Sequence, residues 1–170
     1  MEKQRTIFLT GFMGAGKTTV GQALSKELGM NVIDTDQYIE QQQQKSIKDI
    51  FAEEGEGQFR RYEREVLQLL PKEDTIITTG GGMVIQSCNR EYMMTSGYVV
   101  YLHCDWELLL SRLQQDTTRP LAGPDVHRIN ELYKSRHSFY EEADYIINTT
   151  DKTVEEIVQQ LTEWIEKTWV

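Results

Sequence analysis

Short apolar, β-branched runs alternate along the whole chain with stretches whose apolar residues recur every three or four positions. The first run, Thr6-Ile7-Phe8-Leu9-Thr10, has the make-up of a buried strand. Val20, Leu24 and Leu28 then follow at helical spacing until Gly29 stops the pattern. Asn31-Val32-Ile33-Asp34 predicts a second strand, followed by a polar helical stretch through Ile39. The run Gln41 to Gln44 is too short to be low-complexity and reads as a solvated helix face or turn. Ile47, Ile50 and Phe51 predict a short helix ending near Gly55 and Gly57, and Phe59, Val66, Leu67 and Leu70 a longer one ending at Pro71. Thr75-Ile76-Ile77-Thr78-Thr79, Tyr98-Val99-Val100-Tyr101-Leu102 and Tyr145-Ile146-Ile147 supply the remaining strands. Asp105 is placed to cap a helix carrying Leu108, Leu109 and Leu113. Gln114 to Asp125 reads as a mobile loop, and Ile129, Leu132 and Tyr133 mark the helix after it. Thr153 and Glu156 form a capping-box signature before Val154, Ile157, Val158, Leu161 and Ile165, an amphipathic terminal helix.

Five strands alternating with helices predict an α/β fold, a parallel sheet covered on both faces. Ligands of such sheets sit at the carboxyl ends of the strands. There the first strand delivers Gly11 to Thr19, the second Asp34 and Asp36, and the third Gly80-Gly81-Gly82. All three are therefore expected on one edge.

Gly11 to Thr19 reads GFMGAGKTT and fits G-x-x-x-x-G-K-[ST] between a strand and a helix, the context that this phosphate-binding loop requires. Its glycines let successive N–H groups curl inward onto phosphate oxygens. The stretch expected to bind nucleotide is Gly14, Ala15, Gly16, Lys17, Thr18 and Thr19. Lys17 would reach the β- and γ-phosphates, the Thr18 hydroxyl would ligate Mg²⁺, and the helix would add its positive N-terminal end.

Of Asp34 and Asp36, one carboxylate near Thr18 can hold Mg²⁺, and the other can orient a substrate hydroxyl or act as a base. An N-cap pair for the next helix is the competing explanation. Since no apolar run ends in the usual metal-side Asp, Asp34 is the better metal candidate. Arg60 and Glu63 share a helix face, so a paired glutamate can hold the guanidinium to clamp a carboxylate; the alternative is an exposed ion pair of little weight. The triple glycine lets the backbone approach a ligand closely, though alone it could be only a turn. Arg119, in Arg119-Pro120-Leu121, can neutralise phosphate charge from a closing lid. Arg112 can stack on adenine, and Arg136 can bind a second anionic group.

Other features lead nowhere. Asn148-Thr149-Thr150-Asp151 lacks the lysine of a guanine-reading N-K-x-D, and Asn148 fits a glycosylation pattern that a cytoplasmic chain never exposes to the enzyme. His103, His127 and His137 have neither metal spacing nor a nucleophile partner, and Trp164 and Trp169 read as packing or surface residues. With 170 residues the chain is long enough for one domain with a real core. Its net charge of −9 argues against nucleic acid held by non-specific phosphate contacts, yet leaves room for a local arginine cluster. The N-terminus MEKQRTIFLTGF shows no signal-peptide pattern, and no run approaches the length of a membrane span. Cys88 and Cys104 form no metal-spaced pair and are expected to be reduced thiols.

Taken together, GFMGAGKTT, D-T-D, F-R-R-x-E, T-G-G-G, R-P-L and the later Arg136 stand in the order found in shikimate kinases, and nearly the whole chain resembles that family. The resemblance implies a three-layer P-loop kinase fold with sheet order 2-3-1-4-5, a substrate-binding helical region at about 34–62 and a lid at about 114–126, all within one domain, 1–170. It implies Mg²⁺-dependent transfer of the ATP γ-phosphoryl group to the 3-hydroxyl of shikimate. Asp36 would bind the ring hydroxyls, Arg60 and Arg136 the carboxylate, and Gly81 and Gly82 would contact the same substrate. Thr18 and Asp34 would serve Mg²⁺, Arg119 the ATP phosphates and Arg112 adenine, with Lys17, Asp36 and Arg119 catalytic. A cytoplasmic monomer without nucleic-acid or membrane partners is expected. The lid reads R-P-L-A where the family more usually has R-P-L-L, so Ala122 is a departure that removes no charge. The rival readings are another small P-loop kinase, acting on gluconate or a nucleotide, and an ATP-binding regulatory module.

Overall fold

The strand β1 (Thr6–Thr10) is buried at every residue, because neighbours cover it on both sides. A computed structural model, describing residues 3–116 and 123–170, places it at the centre of a five-stranded sheet. The other strands are β2 (Asn31–Asp34), β3 (Thr75–Thr78), β4 (Tyr98–His103) and β5 (Tyr145–Asn148). Every pairing is parallel and the order is β2-β3-β1-β4-β5, as the resemblance implied. Register brings Leu9 opposite Thr78, and Thr78 opposite Asp34, so these strands end side by side. Ile7, Phe8, Leu9, Ile76, Ile77, Val100 and Leu102 form the middle of the core.

Eight α-helices among the described residues flank the sheet. α1 (Lys17–Leu28) packs against α8 (Val154–Thr168), whose capping box is formed in both directions between Thr153 and Glu156. α2 (Thr35–Gln43), α3 (Ile47–Glu54) and α4 (Glu56–Leu69) make a helical group beside β2, and α3 and α4 are separated only by Gly55. α6 (Trp106–Gln115) and α7 (Gly123–Tyr140) flank the stretch expected to be a lid. The two helices run further into the predicted loop than the pattern suggested, through Gln115 and from Gly123; residues 117–122, with Arg119 and Ala122, lie outside the described residues.

One expectation needs correction, and one element went unpredicted. Asp105 stands at the N-cap of α6, but its side chain caps nothing; its carboxylate lies 3.3 Å from His103 Nε2 instead. A helix that the apolar pattern did not reveal, α5 (Ser87–Ser96), follows the turn of 3-10 helix at Met83–Ile85. No helix among the described residues is long and apolar enough to cross a membrane.

Candidate active site

The loop after β1 turns on glycines. Gly14 and Gly16 have φ of 83° and 93°, in the left-handed region that favours glycine. Gly16 is also the N-cap of α1 and offers no side chain to the first N–H groups of the helix, which stay available to an anion. Thr18 and Thr19 are exposed on that first turn. Lys17 Nζ donates to the carbonyls of Gly11 at 2.6 Å and Phe12 at 3.1 Å, so the lysine lies along its own loop. Burial pulls its ammonium down to about 8, against the raising effect of Asp36 and Asp34.

Beyond the loop, Arg112 Nη1 donates to the Gly14 carbonyl at 2.8 Å. It borders a cavity of about 280 Å³ with Ala15, Gly16, Thr19, Thr149 and Lys152. The sequence reading sets Thr149 aside with Asn148-Thr149-Thr150-Asp151 and does not single out Lys152; the signal for both is a position just past the end of β5, where ligands of such sheets gather. Arg112 also borders a larger cleft, about 930 Å³, between α6 and α7.

Asp34 caps α2 after all. Its Oδ1 accepts from the Gln37 backbone N–H and its Oδ2 from the Thr78 hydroxyl, each at 3.0 Å. Asp36, two residues on within the first turn, does not share that duty. Its Oδ1 is buried with no hydrogen-bond partner among the described residues. Burial pushes its carboxyl up to about 6, helped by Asp34 and opposed by Lys17.

Arg60 and Glu63 are not an exposed pair. Glu63 Oε1 accepts from Arg60 Nη1 at 2.6 Å with the Glu63 side chain only 1 % exposed, and Glu56 accepts from Nη2 at 3.1 Å. Burial raises the Glu63 carboxyl to about 7, although the Arg60 guanidinium acts the other way. Arg136 is 7 % exposed, and the Nε groups of both arginines are buried without hydrogen-bond partners among the described residues.

The triple glycine joins these groups. A Cβ on Gly80 would meet Asp36 Oδ1 at 2.6 Å, one on Gly81 would meet Arg136 Nη1 at 3.4 Å, and one on Gly82 would meet Arg60 Nη1 at 2.2 Å. Three consecutive residues without side chains thus lie against one carboxylate and two guanidiniums, drawn from α2, α7 and α4. The set matches an acceptor carrying a carboxylate at one end and a hydroxyl at the other. Gly80 itself was not among the expected contacts, though the G-G-G motif pointed to it.

Among the remaining candidates, Asn148 accepts from Thr150 N–H and builds a turn, and Trp164 stacks on Tyr145 with centroids 4.8 Å apart. Cys88 and Cys104 are free thiols.

A family model for shikimate kinase matches residues 13–166. A shikimate kinase of Bacillus mycoides (strain KBAB4) is 51 % identical over 164 residues, covering 96 % of this chain and 99 % of the relative. The structure of a shikimate kinase from Acinetobacter baumannii in complex with shikimate is similar at a TM-score of 0.88 and 37 % identity, over 98 % of this chain and 96 % of that one. The shikimate kinase from Bacteroides thetaiotaomicron gives 0.88 and 35 %, over 95 % and 98 %.

Proposed function

The chain belongs to the shikimate kinase family, and from that premise we propose how its own residues divide the transfer of the ATP γ-phosphoryl group to the 3-hydroxyl of shikimate. The observation that carries the assignment is the turn Gly80-Gly81-Gly82, with Asp36, Arg136 and Arg60 against successive residues. Arg60 and Arg136 hold the shikimate carboxylate, and Gly81 and Gly82 allow the ring to lie on bare backbone. Asp36 accepts the hydrogen bond of the 3-hydroxyl and receives its proton as the new O–P bond forms and the bond to the β-phosphate oxygen breaks. Its partnerless, buried oxygen supports that role.

On the nucleotide side, Gly14 to Thr19 cradle the phosphates, and Lys17 and Arg119 neutralise charge across the β–γ bridge. Arg112 lies against adenine in the cavity that it shares with Thr149 and Lys152. Thr18 and Asp34 would hold Mg²⁺. Both offer oxygen, the donor that this ion requires, and each Asp34 oxygen accepts a single hydrogen bond among the described residues and so keeps a further lone pair. When bound, the ion supplies positive charge to the phosphates. A lid over about 114–126, a monomer and a cytoplasmic setting belong to the same proposal.

The test is a coupled ADP-release assay with Mg·ATP, comparing shikimate, gluconate, nucleoside monophosphates and no acceptor. ADP release that needs shikimate, with 3-phosphoshikimate as product, is expected; release driven equally by gluconate would overturn the acceptor assignment. Lys17→Ala should lower turnover by about a thousandfold and keep the thermal unfolding curve, because the lysine acts on developing phosphate charge rather than on packing. A folded variant with normal turnover would remove Lys17 from the mechanism.

A further inference from the structure

The two acceptor-side arginines are held in unlike ways. Arg60 is gripped by two carboxylates, Glu63 and Glu56. Arg136 makes no ion pair among the described residues, and yet it is the more buried of the two. What stands beside it is Tyr140, one helical turn later on α7 and so on the same face.

Tyr140 is 1 % exposed. Its hydroxyl donates to the Gly81 carbonyl, and the Arg136 guanidinium lies against the same phenol. Burial pushes that phenol up to about 12, so it remains a neutral donor throughout the physiological range. The ring stacks on Tyr101 of β4, with centroids 4.9 Å apart and planes 15° from parallel. Tyr101 is anchored in turn by its own hydroxyl, 3.1 Å from His103 Nδ1. One rigid, backed ring therefore touches both the middle residue of the glycine turn and the arginine facing it.

We infer that Tyr140 is a positioning residue of the acceptor site, setting Arg136 and the Gly81 backbone in register for the carboxylate of the substrate. The inference rests on the reading that Arg136 binds that carboxylate. The physical advantage of a phenol here is its lack of charge. Arg60 already carries two carboxylates, and a third, on Arg136, would add negative charge beside the incoming carboxylate and compete for its N–H groups. A neutral oxygen orients the guanidinium and leaves its charge to the ligand. Gly81 has no side chain to hold, so α7 fixes that point of the turn through its backbone, by the carbonyl.

The experiment measures shikimate and ATP affinities by calorimetry, below the unfolding midpoint of each variant, for Tyr140→Phe, Arg136→Ala, the double variant and Tyr101→Phe. Tyr140→Phe keeps the ring and its stack and deletes only the hydroxyl. Its shikimate Kd should rise about tenfold and its ATP Kd stay within about twofold, as expected for losing a hydrogen bond near a charged group. Tyr101→Phe, which removes the hydroxyl that meets His103 and keeps the stacked ring, should change neither. In the Arg136→Ala background, Tyr140→Phe should cost much less than it does alone. Unchanged shikimate binding in Tyr140→Phe, with a clear loss in Arg136→Ala, would overturn the inference and leave the functional reading intact. Equal losses for both ligands would reduce Tyr140 to a packing residue and overturn it too. Normal shikimate binding in Arg136→Ala would defeat the reading of Arg136 and the inference with it.

Discussion

At Gly82 an added methyl carbon would fall 2.2 Å from Arg60 Nη1, and Glu63 holds that same nitrogen at 2.6 Å. The guanidinium cannot yield without breaking its buried pair. Gly82→Ala should therefore raise the shikimate KM at least about tenfold and leave the ATP KM within about twofold, as measured by initial rates. Equal changes in both would argue for a general disturbance of the turn. Glu63 carries a pH dependence of its own. Its carboxyl titrates near 7 in the folded chain against an ordinary 4.5, so the folded state binds the extra proton between those values. The stability linked to that proton is full below about 4.5 and is lost as pH rises through about 7. Glu63→Gln has no such proton to lose. The fall in urea midpoint from about pH 5 to about pH 8 should thus be smaller in the variant than in the parent, and an equal fall in both would refute the assignment.

Among the elements, α8 shows how cleanly a local signal can act. Thr153 accepts from the Glu156 N–H at 3.2 Å while Glu156 accepts from the Thr153 N–H at 2.8 Å. Thr153→Ala should cost about 1 kcal/mol and lower the melting temperature by roughly 2–4 °C, with activity unchanged in the ADP-release assay. The strands were legible as short β-branched apolar runs, and most helices because their burial follows the sequence period. Helix α5 was not, since SCNREYMMTS carries no apolar stripe and buries only Asn89 and Met93. It is fastened by polar side chains: Asn89 donates to the Met83 carbonyl at 3.1 Å, and Arg90 to those of Val84 and Ile85 at 2.8 and 3.2 Å. At the site, motif spacing carried Lys17, Asp36, Arg60 and the glycines. It left Asp34 open between cap and metal ligand, and the carboxylate does cap α2 while retaining lone pairs. Tyr140 had no motif to announce it, because its role depends on a contact between residues 59 positions apart.

For the molecule as a whole, parallel order β2-β3-β1-β4-β5 brings strand ends that are distant in sequence to one edge, so ligand binding there should brace several elements at once. A ligand at a hundred times its Kd adds about 2.7 kcal/mol to the folded state, which for a chain of this size means a melting temperature roughly 5–10 °C higher. Shikimate and ATP should each give a shift of that order in thermal scans. Arg136→Ala should lose the shikimate shift at the same concentration and keep the ATP shift; loss of both would mean that the variant is broadly damaged. The glycine turn has one more consequence. Because Gly80, Gly81 and Gly82 face their neighbours with bare backbone, every point mutation in the floor of the proposed acceptor site adds atoms to it and none can reshape it by exchange. A lineage selected for a differently shaped acceptor would keep these three positions fixed, and its innovations would be confined to the walls, where Asp36, Arg60 and Arg136 stand.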